Sequence, residues 1–277
     1  MYNILTLNKI AACGTDRFGR DKYNVSDAVD APDGIMVRSA SMHEMELPAS
    51  LKAIARAGAG VNNIPVDKCS AAGIVVFNTP GANANAVKEL VIAGMLISSR
   101  RLIPAIEWAK TLKGKGDDVP KLVEKGKSEF AGPEIKGKAL GVIGLGAIGV
   151  LVANSAKRLG MEVYGYDPYL SVESAWGLSS SVLHASSLDQ IFEKCDYITV
   201  HVPLTPDTRG MFNAAAFAMM PRGVRILNFS RAELVNGDDM RAALSDGKVA
   251  AYVVDFPTDD MLDVENVIVI PHLGAST

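Results

Sequence analysis

The sequence is short of the residues that mark several whole classes of protein. Its 277 residues include only three cysteines, Cys13, Cys69 and Cys195, each isolated from the others. Three scattered thiols exclude a disulfide framework and a Cys/His zinc site. They suit a reducing, cytoplasmic compartment, with each thiol expected as a small buried side chain. Basic residues are not in excess, and a net charge of −3 leaves no electrostatic footprint for nucleic acid. No apolar run approaches the roughly 18 residues of a membrane-spanning helix. The opening "MYNILTLNKI" has none of the basic patch, apolar run and small-residue cleavage site of a secretory leader. Metal-ligand spacings, a serine nucleophile elbow and a repeat of fixed period are also missing. What remains is a globular chain, 48% hydrophobic, with enough apolar side chains for a sizeable core in one large or two modest domains.

Short apolar runs alternate with helical patterns from end to end. The runs are "NILTL", "GIMVRS", "LKAIARA", "GIVVFNTP", "ALGVIGLG", "EVYGYD", "YITVHVP", "VRILNFS", "AAYVVDF" and "NVIVIP". Strands separated by helices, without hairpin turns, predict an α/β protein whose parallel sheets are covered on both faces. Pro and Gly punctuation in "NTPGANANA" (78–86) predicts a boundary between a smaller domain at 1–82 and a nucleotide-binding domain at 83–277. The helix that follows, "AVKELVIAGMLISSRRLIPAIEWAK", is too apolar for a surface helix and reads as buried between domains or at a subunit interface. Residues 112–138 read as a polar, exposed, partly helical excursion.

"KALGVIGLGAIGVLVANSAKRLGMEVYGYDPY" places Gly144, Gly146 and Gly149 between a strand and a helix, with Asp167 ending the next strand. Gly144 permits the tight turn, Gly146 lets the backbone approach a diphosphate, and Gly149 brings helix and sheet together. A diphosphate then meets free N–H groups at the positive end of the helix. Asp167 accepts from the adenosine ribose hydroxyls and repels a 2′-phosphate, and Pro168-Tyr169 supply no cation. NAD is therefore the expected cofactor, in preference to NADP.

Hydride transfer from a hydroxy acid needs a cation for the carboxylate, a base for the hydroxyl proton, and a carboxylate to orient that base. Arg231, Asp259 and His272 each follow a predicted strand, at the edge where open α/β sheets bind ligands. Arg231 reads as a bidentate carboxylate clamp or as a solvated helix-start arginine. His272 reads as the acid/base or as part of a loose end. Asp259 reads as the orienting carboxylate or as a turn or N-cap residue. His201 reads as lining the cofactor site through its backbone, and His43 and His184 as surface residues.

With these residues in hand, the chain resembles the D-isomer-specific 2-hydroxyacid dehydrogenases over essentially its whole length. The marks are "IMVRS", "ARAGAGVNNI", "GIVVFNTPGAN", "GVIGLGAIG", "YDPY", "HVPLTPDTRGMFN", "LNFSRAELV", "DFPTDD" and "PHLGAST". The resemblance implies a Rossmann-type doubly wound sheet plus a smaller flavodoxin-like substrate domain, usually in a homodimer. It implies a catalytic set of Arg231, Asp259 and His272, with Asp259 standing where relatives carry glutamate and Asp260 competing for the role. Cofactor contacts implied beside the glycines are Ala147, Ile148, Asp167, Pro203, Thr208, Phe229, Asp255 and Gly274. Arg38, Ser39, Arg56 and Asn83, with N–H groups of Gly58 and Gly60, are implied to hold a substrate's phosphate and carboxylate. Two arginines there suit a substrate with two anionic ends, and "VRS", "RAGAGVNNI" and "PHLGAST" point to oxidation of 3-phospho-D-glycerate. Rival expectations are a reductase for glyoxylate, hydroxypyruvate or another D-2-hydroxy acid, and a non-catalytic NAD-responsive scaffold. Aspartate at 259 is one methylene, about 1.5 Å, shorter than glutamate. Asp255 lies one place later than the corresponding acid of many relatives. Relatives also continue past the histidine with a helix returning to the small domain, so the chain reads as a piece of a longer protein.

Overall fold

Ten of the twelve strands among the described residues form where apolar, β-branched runs are bounded by turn residues. The two exceptions are short edge strands with little apolar pattern, "YNVS" and "LH". The computed structural model describes residues 1–276 and divides into two units, Met1–Asn83 and one beginning at Ala84.

The smaller unit contains β1 (Tyr2–Leu7), α1 (Ala12–Thr15), β2 (Tyr23–Ser26), β3 (Gly34–Val37), β4 (Ala53–Arg56), α2 (Val66–Ala71) and β5 (Val75–Phe77). All strand pairs are parallel, in the order β2-β1-β3-β4-β5, which is the flavodoxin-like winding. Leu5, Ile35 and Ile54 lie in register on one face and build the core with Val37, Met42 and Cys69. The other face is less covered than a parallel sheet predicts, and Tyr2, Val75 and Phe77 are exposed.

The larger unit contains α3 (Ala84–Arg100), α4 (Leu102–Lys110), α5 (Val119–Gly126), β6 (Ala139–Ile143), α6 (Ala147–Arg158), β7 (Glu162–Tyr166), α7 (Val172–Gly177), β8 (Leu183–His184), α8 (Leu188–Lys194), β9 (Tyr197–Val200), α9 (Ala214–Met219), β10 (Val224–Asn228), α10 (Gly237–Ser245), β11 (Val249–Val254) and β12 (Val267–Val269). Its seven parallel strands run β12-β11-β10-β9-β6-β7-β8, a Rossmann-type doubly wound sheet that reverses direction between β6 and β9. Separate apolar clusters cover its two faces.

The single long helix expected after residue 84 is two helices. Arg101 adopts a left-handed conformation at φ 47°, and its guanidinium donates to Glu129 O at 3.2 Å. The apolar character of α3 has a local cause. A Cβ on Gly94 would sit 3.0 Å from Val253 and 3.3 Å from Leu227, so α3 lies flush on the sheet. The 112–138 excursion contains α5 and two 3-10 turns, held by Trp108 stacking near Phe130 at 5.3 Å. Cys69 and Cys195 are buried as expected, but Cys13 is exposed because the short α1 buries no side chain. Among the described residues no helix is long and apolar enough to cross a membrane, and no group of His, Cys, Asp or Glu could hold a metal ion.

Candidate active site and dinucleotide turn

β6 is fully buried and delivers the chain to Gly144 at φ +90°, a left-handed turn that only glycine adopts without strain. A Cβ at Gly149 would lie 1.9 Å from Gly144 O, so α6 starts in contact with the strand end. Beside Gly146, in contrast, nothing lies within 4 Å. Gly146 caps α6 without a side-chain hydrogen bond, which leaves the first N–H groups of the helix, at Ala147 and Ile148, to face an incoming acceptor. Asp167 ends β7 and closes the turn: its Oδ2 accepts from Leu145 N and its Oδ1 from Tyr169 N, both at 2.8 Å. A carboxylate has roughly four acceptor positions, so two remain for ribose hydroxyls. The open cradle at Gly146, the uncapped helix start and this half-buried acid fit NAD. The loop after β9 is held by its own hydrogen bonds, with Thr208 Oγ1 donating to Pro203 O at 2.7 Å and accepting from Thr205 N at 2.8 Å. Phe229 is buried against α3, which leaves only its main chain for a ligand.

Register places more of the candidates along one edge. Gly144, His201, Phe229, Asp255 and Ile270 each follow a paired residue, namely Ile143, Val200, Asn228, Val254 and Val269. Two of them are titratable, Asp255 buried and His201 half-buried with its Nδ1 sealed. Asp255 is 2% exposed and its Oδ1 has no hydrogen-bond partner. Burial pushes its carboxyl up to about 7, against its own backbone hydrogen bond and the nearby Arg231. His201 Nε2 meets Thr199 Oγ1 at 3.0 Å while Nδ1 is sealed and unpartnered, and burial lowers this imidazole to about 4.

These shifts act on stability with opposite signs. The folded chain keeps a proton on Asp255 that the unfolded chain releases, so that contribution is complete below about pH 4 and is lost as pH rises through 7. The His201 contribution is complete above 6.5 and is lost as pH falls toward 4. Asp255→Asn should therefore raise the melting temperature at pH 8 by roughly 5–10 °C and change it little at pH 4, since the shift is worth on the order of a few kcal/mol. An equal change at both pH values in thermal melts would contradict the assignment.

Arg231 lies three residues past the paired end of β10, and His272 three past that of β12. Asn228 shapes the first approach. It is fully buried, donates to Arg231 O at 2.8 Å, and accepts from Ser230 N at 3.1 Å. The Arg231 guanidinium donates to Ser230 O at 2.7 Å and lies over the ring of Phe256, 5.6 Å from its centroid. His272 is left-handed at φ 46°, and its N–H reaches Asp255 O at 3.1 Å and Ile270 O at 2.8 Å. Its ring lies 4.6 Å from the same Phe256 ring. Gly274 follows, buried beside Val87 of α3, with Asp255 Oδ2 3.9 Å from where its Cβ would stand.

The expected pairing of Asp259 with His272 is not formed. Asp259 is exposed at the start of a 3-10 turn (Asp259–Met261), and among the described residues no hydrogen bond or ion pair engages its carboxylate. Asp260 turns away to pair with Arg241 of α10, and Thr258 and Arg241 hold its carboxyl below the usual range.

In the smaller unit, Arg38 and Ser39 follow β3 and Arg56 ends β4, again at carboxyl ends. Asn63 ties the two loops together: it accepts from Arg56 Nε at 3.1 Å and donates to Ala40 O at 2.8 Å. Asn8 accepts from Ser39 N and Ala40 N at 3.0 and 2.7 Å. The Gly58 N–H is not available as a substrate donor, because it is given to Thr79 Oγ1 at 2.8 Å and Arg56 O at 3.0 Å. Gly60 is half-buried, and Asn83 directly precedes α3. Asn8, Asn63, Thr79, Asn228 and Phe256 were not among the sequence candidates. Asn63, Thr79, Asn228 and Phe256 do lie inside the quoted motifs.

A glycine turn at a topological switch point, with an arginine and a histidine at the same sheet edge, defines a nucleotide-dependent dehydrogenase architecture. Residues 92–274 match the family model "D-isomer specific 2-hydroxyacid dehydrogenase, NAD binding domain", and the chain belongs to the D-isomer-specific 2-hydroxyacid dehydrogenase family, with NAD as its cofactor. It is 37% identical over 254 residues to D-3-phosphoglycerate dehydrogenase of Rattus norvegicus, covering 88% of this chain and 45% of that one. It is 37% identical over 268 residues to the protein of the same name from Mycobacterium bovis, covering 94% and 48%. The chain thus spans about half the length of the curated relatives it matches. Among solved structures it resembles an NAD+-bound 3-phosphoglycerate dehydrogenase of Entamoeba histolytica (TM-score 0.77, 26% identity, 100% of this chain and 89% of that one). It shares its fold with D-mandelate dehydrogenase of Rhodotorula graminis (TM-score 0.78, 23% identity, 100% and 89%).

Proposed function

We propose that this protein oxidises 3-phospho-D-glycerate to 3-phosphohydroxypyruvate, the first step of L-serine synthesis. The reading rests on one observation above all. Arg231 and His272 stand at the same edge of the sheet as the glycine turn, and both contact one ring. Arg231 binds the substrate carboxylate and polarises the C2 oxygen as it becomes a carbonyl. His272 takes the C2 hydroxyl proton. NAD bound at the glycine turn would supply the acceptor for the hydride that leaves C2. Gly144, Gly146, Ala147, Ile148 and Gly149 receive the diphosphate, Asp167 the ribose, and Pro203, Thr208, Phe229, Asp255 and Gly274 the remainder of the cofactor. Arg38, Ser39, Arg56 and Gly60, with Asn83 at the boundary, are the anion-binding residues, residues 1–82 acting as the substrate-binding domain and 83–277 as the NAD-binding domain.

The protein acts as a cytoplasmic homodimer in this reading. Unpaired Cys69 and Cys195 support the compartment, and Leu102, Ile103 and Ile106, exposed at helical spacing along α4, support the self-association.

The test is an NADH absorbance assay over phosphorylated and plain 2-hydroxy and 2-keto acids. Turnover of 3-phosphoglycerate is expected to exceed that of glycerate, and Arg56→Ala is expected to raise KM for the phosphorylated substrate about tenfold or more. Preference for glyoxylate or hydroxypyruvate would replace this reading with a reductase. NAD binding without turnover of any acid would replace it with a non-catalytic scaffold.

A further inference from the structure

We infer that Phe256 is a positioning residue that holds Arg231 and His272 in one fixed relation. The inference rests on the catalytic reading above and adds a residue to it. Strand order supplies the reason. β11 lies between β10 and β12 in the sheet, so the residue leaving β11 enters the gap between the chain leaving β10 and the chain leaving β12. Asp255 is the first residue past β11 and Phe256 the second, and it is the Phe256 ring that stands there. Its ring is 4.6 Å from the His272 ring, tilted by 47°, and the Arg231 guanidinium carbon is 5.6 Å from its centroid. One aromatic ring therefore touches both groups.

Phe256 is itself held. It is half-buried against the apolar cluster on one face of the sheet. It also precedes Pro257, which confines its backbone to the extended region. The neighbouring residue acts on the same histidine from the main chain. Asp255 O accepts from His272 N at 3.1 Å, at a position where His272 carries a left-handed φ of 46°. A non-glycine residue keeps such a conformation only when its surroundings impose it. The end of β11 thus sets the backbone of His272 through Asp255 and its ring through Phe256. The phenyl face beneath the Arg231 guanidinium also attracts that cation electrostatically, which helps to hold it where it would clamp a carboxylate.

Phe256→Leu keeps an apolar side chain of similar bulk and removes the ring face; Phe256→Tyr keeps the face. In the purified protein, Phe256→Leu is expected to lower kcat about tenfold and raise the hydroxy-acid KM several-fold, with the NAD dissociation constant within twofold of the parent. Phe256→Tyr is expected to recover most of both. By NMR, the imidazole carbon-bound protons of His272, assigned by their loss in His272→Ala, should move toward free-histidine values in Phe256→Leu as the ring current disappears. The inference is overturned if Phe256→Leu leaves kcat, KM and the His272 resonances at parental values. It is also overturned if NAD affinity and melting temperature fall in parallel with activity and Phe256→Tyr does not recover it, because that pattern is general destabilisation. The His272→Ala variant separates this inference from its foundation. If it turns over normally, the catalytic reading fails and carries the inference with it. If it is inactive while Phe256→Leu is fully active, only the inference fails.

Discussion

Gly149→Ala is expected to abolish NAD binding and to destabilise the larger unit. The added methyl would stand 1.9 Å from Gly144 O, 3.0 Å from its carbonyl carbon and 3.4 Å from Val142 Cγ1. Two of those three atoms are main chain, so no rotamer change relieves the overlap. Either α6 withdraws from the end of β6, or the Gly144 turn opens. Withdrawal moves the N–H groups at Ala147 and Ile148 that are proposed to meet the diphosphate, and it lifts Val150, Val152, Ala153 and Ala156 from the core they fill. Both results cost free energy, on the order of 1–3 kcal/mol for overpacking alone. NADH fluorescence titration should show affinity reduced by about 100-fold or more, a size that follows from a displacement of about 1 Å at a site of this kind. Gly146→Ala is the contrasting variant. Its Cβ meets nothing within 4 Å, so the melting temperature without cofactor should stay within about 1 °C while NAD binding weakens. A Gly149→Ala protein that binds NAD normally would show that the turn is not the diphosphate site.

His272→Asn is expected to lower kcat by about 10²–10⁴-fold, the usual contribution of a positioned acid/base. NAD affinity should change little, because the glycine turn and Asp167 are contributed by β6 and β7, at a distance in the sheet order from β12. Asp259→Asn is expected to change kcat by less than about threefold. The carboxylate is exposed and makes no hydrogen bond or ion pair among the described residues, and exposed charges of this kind contribute little. Steady-state kinetics on the two variants separates the alternatives. If Asp259→Asn were as damaging as His272→Asn, Asp259 would have to reach the histidine in the working enzyme.

The last two carboxylates of "DFPTDD" show where sequence reasoning stops. Motif position puts Asp259 in line for His272. The 3-10 turn at Asp259–Met261 instead faces it outward, and Arg241, far along the chain on α10, captures its neighbour Asp260. Gly58 is a similar case. Its place in "ARAGAGVNNI" suggests a free N–H, but Thr79, just past the end of the neighbouring strand β5, takes it. The break at Arg101 is different, because it is partly legible: Ser98–Arg101 interrupt the apolar pattern and Pro104 follows.

What the sequence by itself determined is the α/β class, ten of the strands, the dinucleotide turn and the delivery of Arg231 and His272 to strand ends. These depend on local requirements: apolar runs form strands, and each glycine of the turn answers a demand made by residues within a few positions of it. Only the tertiary structure decided which acid lies near the histidine, which N–H groups are already engaged, and that Phe256 stands between Arg231 and His272. Those outcomes depend on strand order and on side chains arriving from distant segments, and no local period or spacing encodes either.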